Sequence, residues 1–346
     1  YTFVTYNHGP VDSLHENWDN IIYVKRFLEH LDRDIRISPF PEKGRINIFI
    51  ERFNHHDLNL LMSDYEYKCI FMITEQITGD TFNLFDKKKD IKEEDSPMGG
   101  NMFVKKNMSP AEVNKMSHPH KDKPIHEKYH KWKSRLDNFK RISKRCFALW
   151  ALAPQLQKDY GKIIQHIPVL TVPRVYIRNE LLGSAFERSI DVSFCGNLTA
   201  SRKELIEKIQ NLPNIKIKLS KPKETSAEER DEIIRTSKLH LDLKLGPKSQ
   251  IPSTSRIHNA LCLDTLVLCE KVDPGHEIDT YTVKFETPDE LLNLVKYYVQ
   301  NNEAREKQRK DLVEKFKEDT AQGKDADCKI NPLKQLIMAT EQLYNN

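Results

Sequence analysis

Short apolar runs alternate with amphipathic stretches through the first half of the chain. Five runs are almost continuously apolar, which is typical of strands covered on both faces, and they lie at 1–6, 46–53, 68–74, 146–152 and 167–173. Helical periodicity occupies 17–31 and 153–160. The alternation predicts a parallel sheet whose strands are joined by right-handed helical crossovers.

A second series of the same kind starts near Ser189. The predicted strands are 190–197, 215–220, 239–245 and 265–271, and the predicted helices include 201–212, 227–237 and 287–300. The last helix has a clear start, because Thr287 is an N-cap, Pro288 suits the first turn and Glu290 completes a capping box. The chain is therefore predicted to be an α/β protein with two consecutive units.

Three segments follow from this pattern. Residues 1–178 are predicted to form an N-terminal domain, 179–330 a C-terminal domain, and 331–346 a helix that packs back on the N-terminal domain. The stretch 86–131 breaks the alternation and is rich in Lys, Pro and Gly, which predicts a mobile surface insertion. The alternative for this stretch is a lid or an acceptor-binding loop.

Composition narrows the function classes. The 346 residues suffice for two domains, and a net charge of +4 is too small to indicate nucleic acid binding. The six cysteines form no CxxC pair, which favours reduced thiols and a cytoplasmic protein. No apolar run approaches the roughly 20 residues of a membrane span, so we expect at most peripheral membrane contact. The sequence indicates no particular oligomeric state.

The stretch that begins at Pro252 combines hydroxyls, a helix start and an arginine. We expect Ser253 to cap a helix whose apolar face is Ile257, Ala260 and Leu261. A helix N-terminus attracts phosphate, and further donors surround this one: Thr254, Ser255, Arg256, and Lys244 and Lys248 in the preceding loop. The alternative is an ordinary capped helix with solvated charges.

A second strand, turn and helix start of this type lies at 196–205. Gly196 supplies the turn and Arg202 lies in the first turn of the following helix. Two converging anion sites suit a nucleoside diphosphate better than a single phosphate. The chain has neither GxGxxG nor a Walker A motif, so a dinucleotide oxidoreductase or a P-loop NTPase is poorly supported.

Three segments resemble the C-terminal half of GT-B glycosyltransferases, nearest to the spore-maturation (CgeB-like) and glycosyl transferases group 1 types. They are "DVSFCGNLTASRKELIEKI", "SRIHNALCLDTLVLCEK" and "FETPDELLNLVKYYVQNNEAREK". The resemblance covers roughly 188–320 and implies a GT-B fold, in which two Rossmann-like domains face a central cleft. It further implies a nucleotide-sugar donor on the C-terminal domain and a carbohydrate acceptor on the N-terminal domain.

The same resemblance implies roles for the basic residues. Arg202 and Arg256 would neutralise the donor diphosphate, with Lys244 or Lys248 assisting, and no metal or other cofactor would be needed. Retaining relatives carry two glutamates with seven residues between them, and these positions are Ile251 and Asn259 here. Asn259 can still bind the donor ribose, but isoleucine has no polar group, so inversion is predicted.

An inverting enzyme needs a base on the acceptor side. His8 follows the first strand and Glu75 ends another, so either is a candidate, with Asp12 and Glu16 ranked lower. The alternatives are a structural histidine and an ordinary carboxylate at a helix start. Four histidines lie between 118 and 130, but their spacing fits no common zinc site.

The predicted function is therefore transfer of a hexosyl or pentosyl group from a nucleotide diphosphate to a hydroxyl of a glycan or lipid-linked carbohydrate. Two alternatives share the architecture. One is a non-catalytic module that binds a nucleotide or glycan, and the other is a nucleotide-sugar epimerase.

Overall fold

The structure is a computed structural model, and it describes residues 1–5, 17–50, 66–78, 81–82, 135–177, 187–220, 224–246, 249–320 and 332–345. Some residues singled out in the sequence lie outside these ranges. They are His8, Asp12, Glu16, Lys248, the four histidines between 118 and 130, and the whole insertion 86–131.

The first sheet has six parallel strands in the order β2-β1-β3-β4-β7-β8. In chain order they are β1 (Thr2–Val4), β2 (Arg36–Ser38), β3 (Ile46–Ile50), β4 (Lys68–Ile73), β7 (Cys146–Ala151) and β8 (Val169–Thr171). The short strands β5 (Ile77–Thr78) and β6 (Thr81–Phe82) form a separate antiparallel pair.

Helices cover both faces of this sheet. They include α1 (Trp18–His30), a helical segment at 135–142 and α2 (Pro154–Ile163). Phe3, Phe71 and Trp150 are fully buried between the layers. Every residue of β3 is buried, which explains why its sequence is apolar except for Asn47. The buried Asn47 amide donates to the carbonyls of Glu42 and Arg45 at 3.0 and 3.1 Å.

The second sheet has five parallel strands in the order β10-β9-β11-β12-β13. The strands are β9 (Ile190–Cys195), β10 (Ile217–Ser220), β11 (Ser237–Asp242), β12 (Leu266–Glu270) and β13 (Val283–Phe285). The helices α3 (Ala200–Gln210), α4 (Ala227–Arg235) and α5 (Thr254–Cys262) connect them. The prediction of two α/β units with parallel sheets is confirmed.

Two apolar layers enclose the second sheet. Phe194 and Leu241 belong to the layer on one face, while Val267 and Cys269 belong to the layer on the other. The predicted apolar face of α5 is confirmed, because Ile257, Ala260 and Leu261 are all buried.

The chain then continues through α6 (Pro288–Gln300) and α7 (Asn302–Thr320). Thr287 caps α6, and its hydroxyl accepts a hydrogen bond from the Glu290 N–H at 3.2 Å. The predicted capping box is wrong in its second half. The Glu290 carboxylate accepts from the Glu286 N–H at 2.7 Å, one residue before the cap, and so does not reach the Thr287 N–H.

The last helix, α8 (Pro332–Asn345), packs on the first sheet. Leu333, Leu336 and Ile337 belong to the core of that sheet. The Trp150 indole N–H donates to the Thr340 hydroxyl at 3.0 Å. In the part of the chain that the structure describes, no helix combines the length and the apolar character needed to cross a membrane.

Candidate functional site

A cavity of about 370 Å³ lies between the two sheets. Its walls come from the carboxyl ends of strands in both sheets, where parallel α/β folds bind their ligands. Gln76 and Ala153 follow strands of the first sheet, while Gly196, Asp242 and Glu270 end or follow strands of the second. Most of the predicted donor-binding residues line this cavity: Gly196, Arg202, Lys244, Ser253, Thr254, Ser255, Arg256 and Asn259.

The N-terminus of α5 faces the cavity, but its cap differs from the expected one. Ser253 occupies the N-cap position, yet its hydroxyl makes no capping hydrogen bond. Instead, the Ser253 N–H donates to the Asp242 carboxylate at 3.1 Å. Asp242 therefore ties the start of the helix to the end of β11.

Arg256 is held by its own domain. Its Nε–H donates to the Cys195 carbonyl at 2.6 Å, and its Nη1 forms an ion pair with Asp242. The guanidinium lies over the Phe194 ring, 5.1 Å from the centroid. This arrangement fixes a planar cation at the cavity wall in an orientation that can present its remaining N–H donors to an anion.

Gly196 makes room for that guanidinium. A Cβ at position 196 would lie 2.6 Å from Arg256 Nη2, and the backbone φ of +150° is one that other residues rarely adopt. The turn after β9 therefore requires glycine, both for the space that Arg256 occupies and for its backbone conformation.

Arg202 is buried and bonded to the backbone. It donates to the carbonyls of Asn197, Leu243 and Lys244 at 2.7–3.2 Å. Burial, followed by the charge of Arg256, lowers the pKa of Arg202 to about 9. These bonds fix two cavity loops, those after β9 and β11, and whether Arg202 also contacts a diphosphate stays a prediction.

Lys244 and Asn259 each have a carboxylate partner. The Lys244 N–H donates to Glu270 at 2.9 Å, and the Lys244 ammonium lies 3.7 Å from the same carboxylate. The Asn259 amide donates to Asp231 at 2.9 Å. Both side chains line the cavity, and their predicted contacts with a donor stay predictions.

Polar contacts join the two domains along the cavity. The Arg230 Nη2 on α4 lies 2.6 Å from the Asp19 Oδ1 on α1. The Ser255 hydroxyl donates to the Asn20 side-chain oxygen at 2.6 Å. The buried Arg174 donates to Asn20 at 2.6 Å and to Ser255 at 2.8 Å, which completes a three-residue cluster.

The charged groups at this interface shift one another's pKa values. Burial raises the pKa of Asp19, while the charge of Arg230 lowers it. Burial acts to lower the pKa of Arg230, but the carboxylates of Asp19 and Asp231 raise it above its ordinary value. The pair is thus a partly buried ion pair, in which each charge depends on the other.

Glu75 is not among the residues that line the cavity. Its carboxylate forms an ion pair with Arg135 at 2.8 Å, and its carbonyl accepts a hydrogen bond from the Tyr160 hydroxyl at 2.8 Å. Ile251 lines the cavity and packs against the core of the first sheet. In the described ranges, no group of three or more His, Cys, Asp and Glu residues could hold a metal ion.

Several cavity residues were not predicted from the sequence, among them Asp19, Asn20, Arg230 and Asp242. Asp242 gave a signal, because it is a carboxylate at the end of the apolar run "LHLDL". The other three lie on the polar sides of helices and look in the sequence like solvated residues. Their role as contacts between the domains becomes visible only when both domains are in place.

Two solved structures are similar to nearly the whole chain. A mutant of T4 phage BGT in complex with UDP-glucose has a TM-score of 0.54 at 10% identity, over 99% of this chain and 98% of that one. T4 phage BGT in complex with UDP and Mn2+ has a TM-score of 0.51 at 12% identity, over 99% of both chains.

These similarities and the two parallel sheets show that the chain has the GT-B fold, with two Rossmann-like domains. No family model matches the chain, and no curated protein matches it either. The resemblance to the CgeB-like type therefore stays a prediction.

Proposed function

We propose that this chain transfers a hexosyl or pentosyl group from a nucleotide diphosphate donor to a hydroxyl of a glycan or lipid-linked carbohydrate. One observation carries the proposal. The wall that the C-terminal domain contributes to the cavity contains the N-terminus of α5 and the side chains of Arg202 and Arg256. Arg256 is held there by Asp242. Its volume of about 370 Å³ is adequate for part of such a ligand. The solved structures with the same fold hold UDP and UDP-glucose, which supports a nucleotide donor.

The donor diphosphate would lie against Arg256 and the start of α5. Arg256 is fixed by Cys195 and Asp242, so little conformational entropy is lost when it binds an anion. Fixed positive charge stabilises a departing nucleoside diphosphate. Lys244 and Ser253 border the same space and would add donors, and Asn259 would reach the ribose.

Inversion is part of the proposal. Ile251 stands at the cavity wall where a retaining relative would hold its first glutamate, and it packs against apolar residues. His8 and Glu75 remain the bases that the sequence suggests. We also propose that no metal is needed, because arginines can supply the positive charge. Activity that vanishes in EDTA and returns with manganese would contradict this part.

The first experiment is a thermal-shift screen with nucleoside diphosphates, each at 100 times its dissociation constant. A bound ligand should stabilise the folded protein by about 2.7 kcal/mol. If no nucleoside diphosphate raises the melting temperature, the donor assignment is wrong. Hydrolysis of the matching nucleotide sugar then separates an enzyme from a non-catalytic module, and its product separates a transferase from an epimerase.

The second experiment tests the anion site. Arg256→Lys keeps the charge but loses the planar fork, so affinity for the diphosphate found in the screen should fall by about 1.5–3 kcal/mol. Arg33→Lys is the matched control, since Arg33 forms its ion pair with Glu341, which does not line the cavity. Equal affinity of Arg256→Lys and the parent in calorimetry would remove Arg256 from the donor site.

A further inference from the structure

We infer that Asp19 and Arg230 form an exchangeable ion pair across the cavity. An anionic group of the ligand takes Arg230 from Asp19, and the released Asp19 carboxylate accepts the proton of the attacking hydroxyl. This inference rests on the proposed function and names a base that the sequence did not suggest.

Position singles out Asp19. Among the described residues of the N-terminal domain that line the cavity, Asp19 alone has a titratable side chain. It lies in the first turn of α1, on the side where the acceptor is proposed to bind. Glu75 is turned to Arg135 and does not line the cavity.

The other carboxylates that line the described cavity have structural duties. Asp242 binds Arg256 and the Ser253 N–H. Glu270 binds the Lys244 N–H. Both belong to the C-terminal domain, and removing either contact would release an element of the donor wall. Asp19 instead faces the other domain.

Arg230 also differs from the other cavity arginines, because it contacts a side chain of the other domain. Arg202 donates to backbone carbonyls, and Arg256 donates to a carbonyl and to a carboxylate of its own sheet. Arg230 contacts two carboxylates, Asp19 at 2.6 Å and Asp231 at 2.8 Å. It can therefore exchange the Asp19 carboxylate for a phosphate without leaving a backbone group unsatisfied.

The surroundings set the direction of the change. Asp19 interacts electrostatically with Arg230 and Asp231 on α4, Arg174 after β8 and Cys195 at the end of β9. Burial raises the pKa of Asp19, while Arg230 and Arg174 lower it. When Arg230 moves to a ligand phosphate, the larger of these two cationic influences is lost. The carboxylate then becomes a stronger base.

The transfer reaction needs only the nucleotide-sugar donor and the acceptor hydroxyl as reactants. The acceptor oxygen forms a bond to the anomeric carbon while the bond from that carbon to the diphosphate oxygen breaks. The electron pair of the broken bond leaves on the diphosphate, beside Arg230 and Arg256. The hydroxyl proton passes to the Asp19 carboxylate, and the products are the glycoside and a nucleoside diphosphate.

Proton uptake tests the exchange without knowledge of the acceptor. We would titrate the full chain with inorganic pyrophosphate and with UDP, at several pH values from 5 to 8, in two buffers of different ionisation enthalpy. Binding to the parent should take up as much as about one proton more than binding to Asp19→Asn, because the pKa of Asp19 rises in the complex. The ligand's own protons cancel in that difference.

Three further variants make the result specific. Arg230→Gln should also lose the extra uptake, and its affinity for pyrophosphate should fall by about 10- to 100-fold. Glu341→Gln removes an ion pair outside the cavity and should behave like the parent. His8→Ala should keep the extra uptake. Two results would overturn the inference. One is that Asp19→Asn takes up as many protons on binding as the parent. The other is that His8→Ala is the one variant that loses the extra proton uptake.

The rate of transfer gives the second readout. With a nucleotide sugar that carries the nucleoside diphosphate found in the screen and that the parent hydrolyses, single-turnover donor hydrolysis by Asp19→Asn should be about 10²- to 10⁴-fold slower. Its affinity for pyrophosphate should equal or exceed the parent's, because Arg230 has lost a competing carboxylate. Parent-like hydrolysis would overturn the base assignment. Failure of pyrophosphate and of every nucleoside diphosphate in the screen to bind the parent would instead refute the proposed function, and this inference with it.

Discussion

The two walls of the cavity have the same topology and different chemistry. Each is built at the carboxyl ends of parallel strands. The N-terminal wall presents mainly amides and a hydroxyl, as in Asn20, Gln76 and Thr74, with the single carboxylate of Asp19 among its described residues. The C-terminal wall presents three arginines, a lysine and two carboxylates that line the space: Arg202, Arg230, Arg256, Lys244, Asp242 and Glu270.

The comparison teaches that the fold supplies the position of the cavity but not its chemistry. The charged C-terminal wall suits a ligand with phosphate groups, and the amide-rich N-terminal wall suits one with hydroxyls. On the charged wall each cation is fixed by a carbonyl or a carboxylate, so the charges are held in place before a ligand arrives. Three changes would break or sharpen this contrast.

The largest effect should come from Asp242. Asp242→Ala leaves the Arg256 cation, whose side chain is only 13% exposed, without its carboxylate and removes the acceptor of the Ser253 N–H. Breaking one side of a buried ion pair costs about 3–5 kcal/mol, so the free energy of unfolding should fall by that amount. Urea unfolding followed by circular dichroism measures it. A loss below about 1 kcal/mol, typical of an exposed pair, would show that the charged wall is not fixed by Asp242.

The pH dependence of stability should come partly from His240. This side chain is fully buried in β11 beside Ser193, and burial followed by the charges of Arg256 and Arg230 lowers its pKa to about 3. Between pH 6.5 and pH 3 the unfolded chain binds a proton at this site and the folded chain does not. The free energy of unfolding therefore falls as the pH drops through that window.

His240→Gln removes this contribution. Its unfolding free energy should depend less steeply on pH than the parent's, by about 1.4 kcal/mol per pH unit below pH 6. Urea midpoints at pH 4, 5 and 6 give the two slopes. Identical slopes for His240→Gln and the parent would mean that His240 is protonated in the folded protein.

The smallest effect should come from the amide-rich N-terminal wall. The Gln76 side-chain oxygen accepts a hydrogen bond from the Gln250 N–H at 3.1 Å, between the two domains. Gln76→Ala should lower the free energy of unfolding by about 0.5–1.5 kcal/mol, the value of a neutral hydrogen bond. It should weaken diphosphate binding by less than about tenfold. A larger loss in calorimetry would move part of the donor site to the N-terminal wall.

The fold was predictable because fully buried parallel strands leave a direct mark on the sequence. The run at 46–53 is largely apolar and contains a strand that is buried on both faces. The run at 190–197 alternates apolar and polar residues, but its polar residues Asp191 and Ser193 are buried as well. The cavity residues at the start of α5 were also visible, since a cluster of hydroxyls and Arg256 lies in the connection that follows β11. Boundaries were less exact, as with β8, which covers only Val169–Thr171 of the predicted 167–173.

The partners of the polar groups were not predictable. A short stretch cannot show that Arg202 donates to the carbonyls after β11, because those carbonyls lie 41 and 42 residues away in the chain. Nor can it show that the polar side of α1 faces α4, since a helix face toward another domain and one toward water carry the same residues. The contact between Asp19 and Arg230 depends on how the two domains dock.

Because α8 belongs to the core of the first sheet, the chain cannot be cut between the two sheets without damage to the N-terminal domain. The chain leaves the N-terminal domain after β8, builds the C-terminal domain and then returns with Pro332–Asn345 to the first core. A fragment that stopped between the two sheets would lack Leu333, Leu336 and the hydroxyl of Thr340, and the Trp150 indole would lose its acceptor. During synthesis the first domain cannot finish packing until the second has left the ribosome, so the two halves are coupled in time as well as in space.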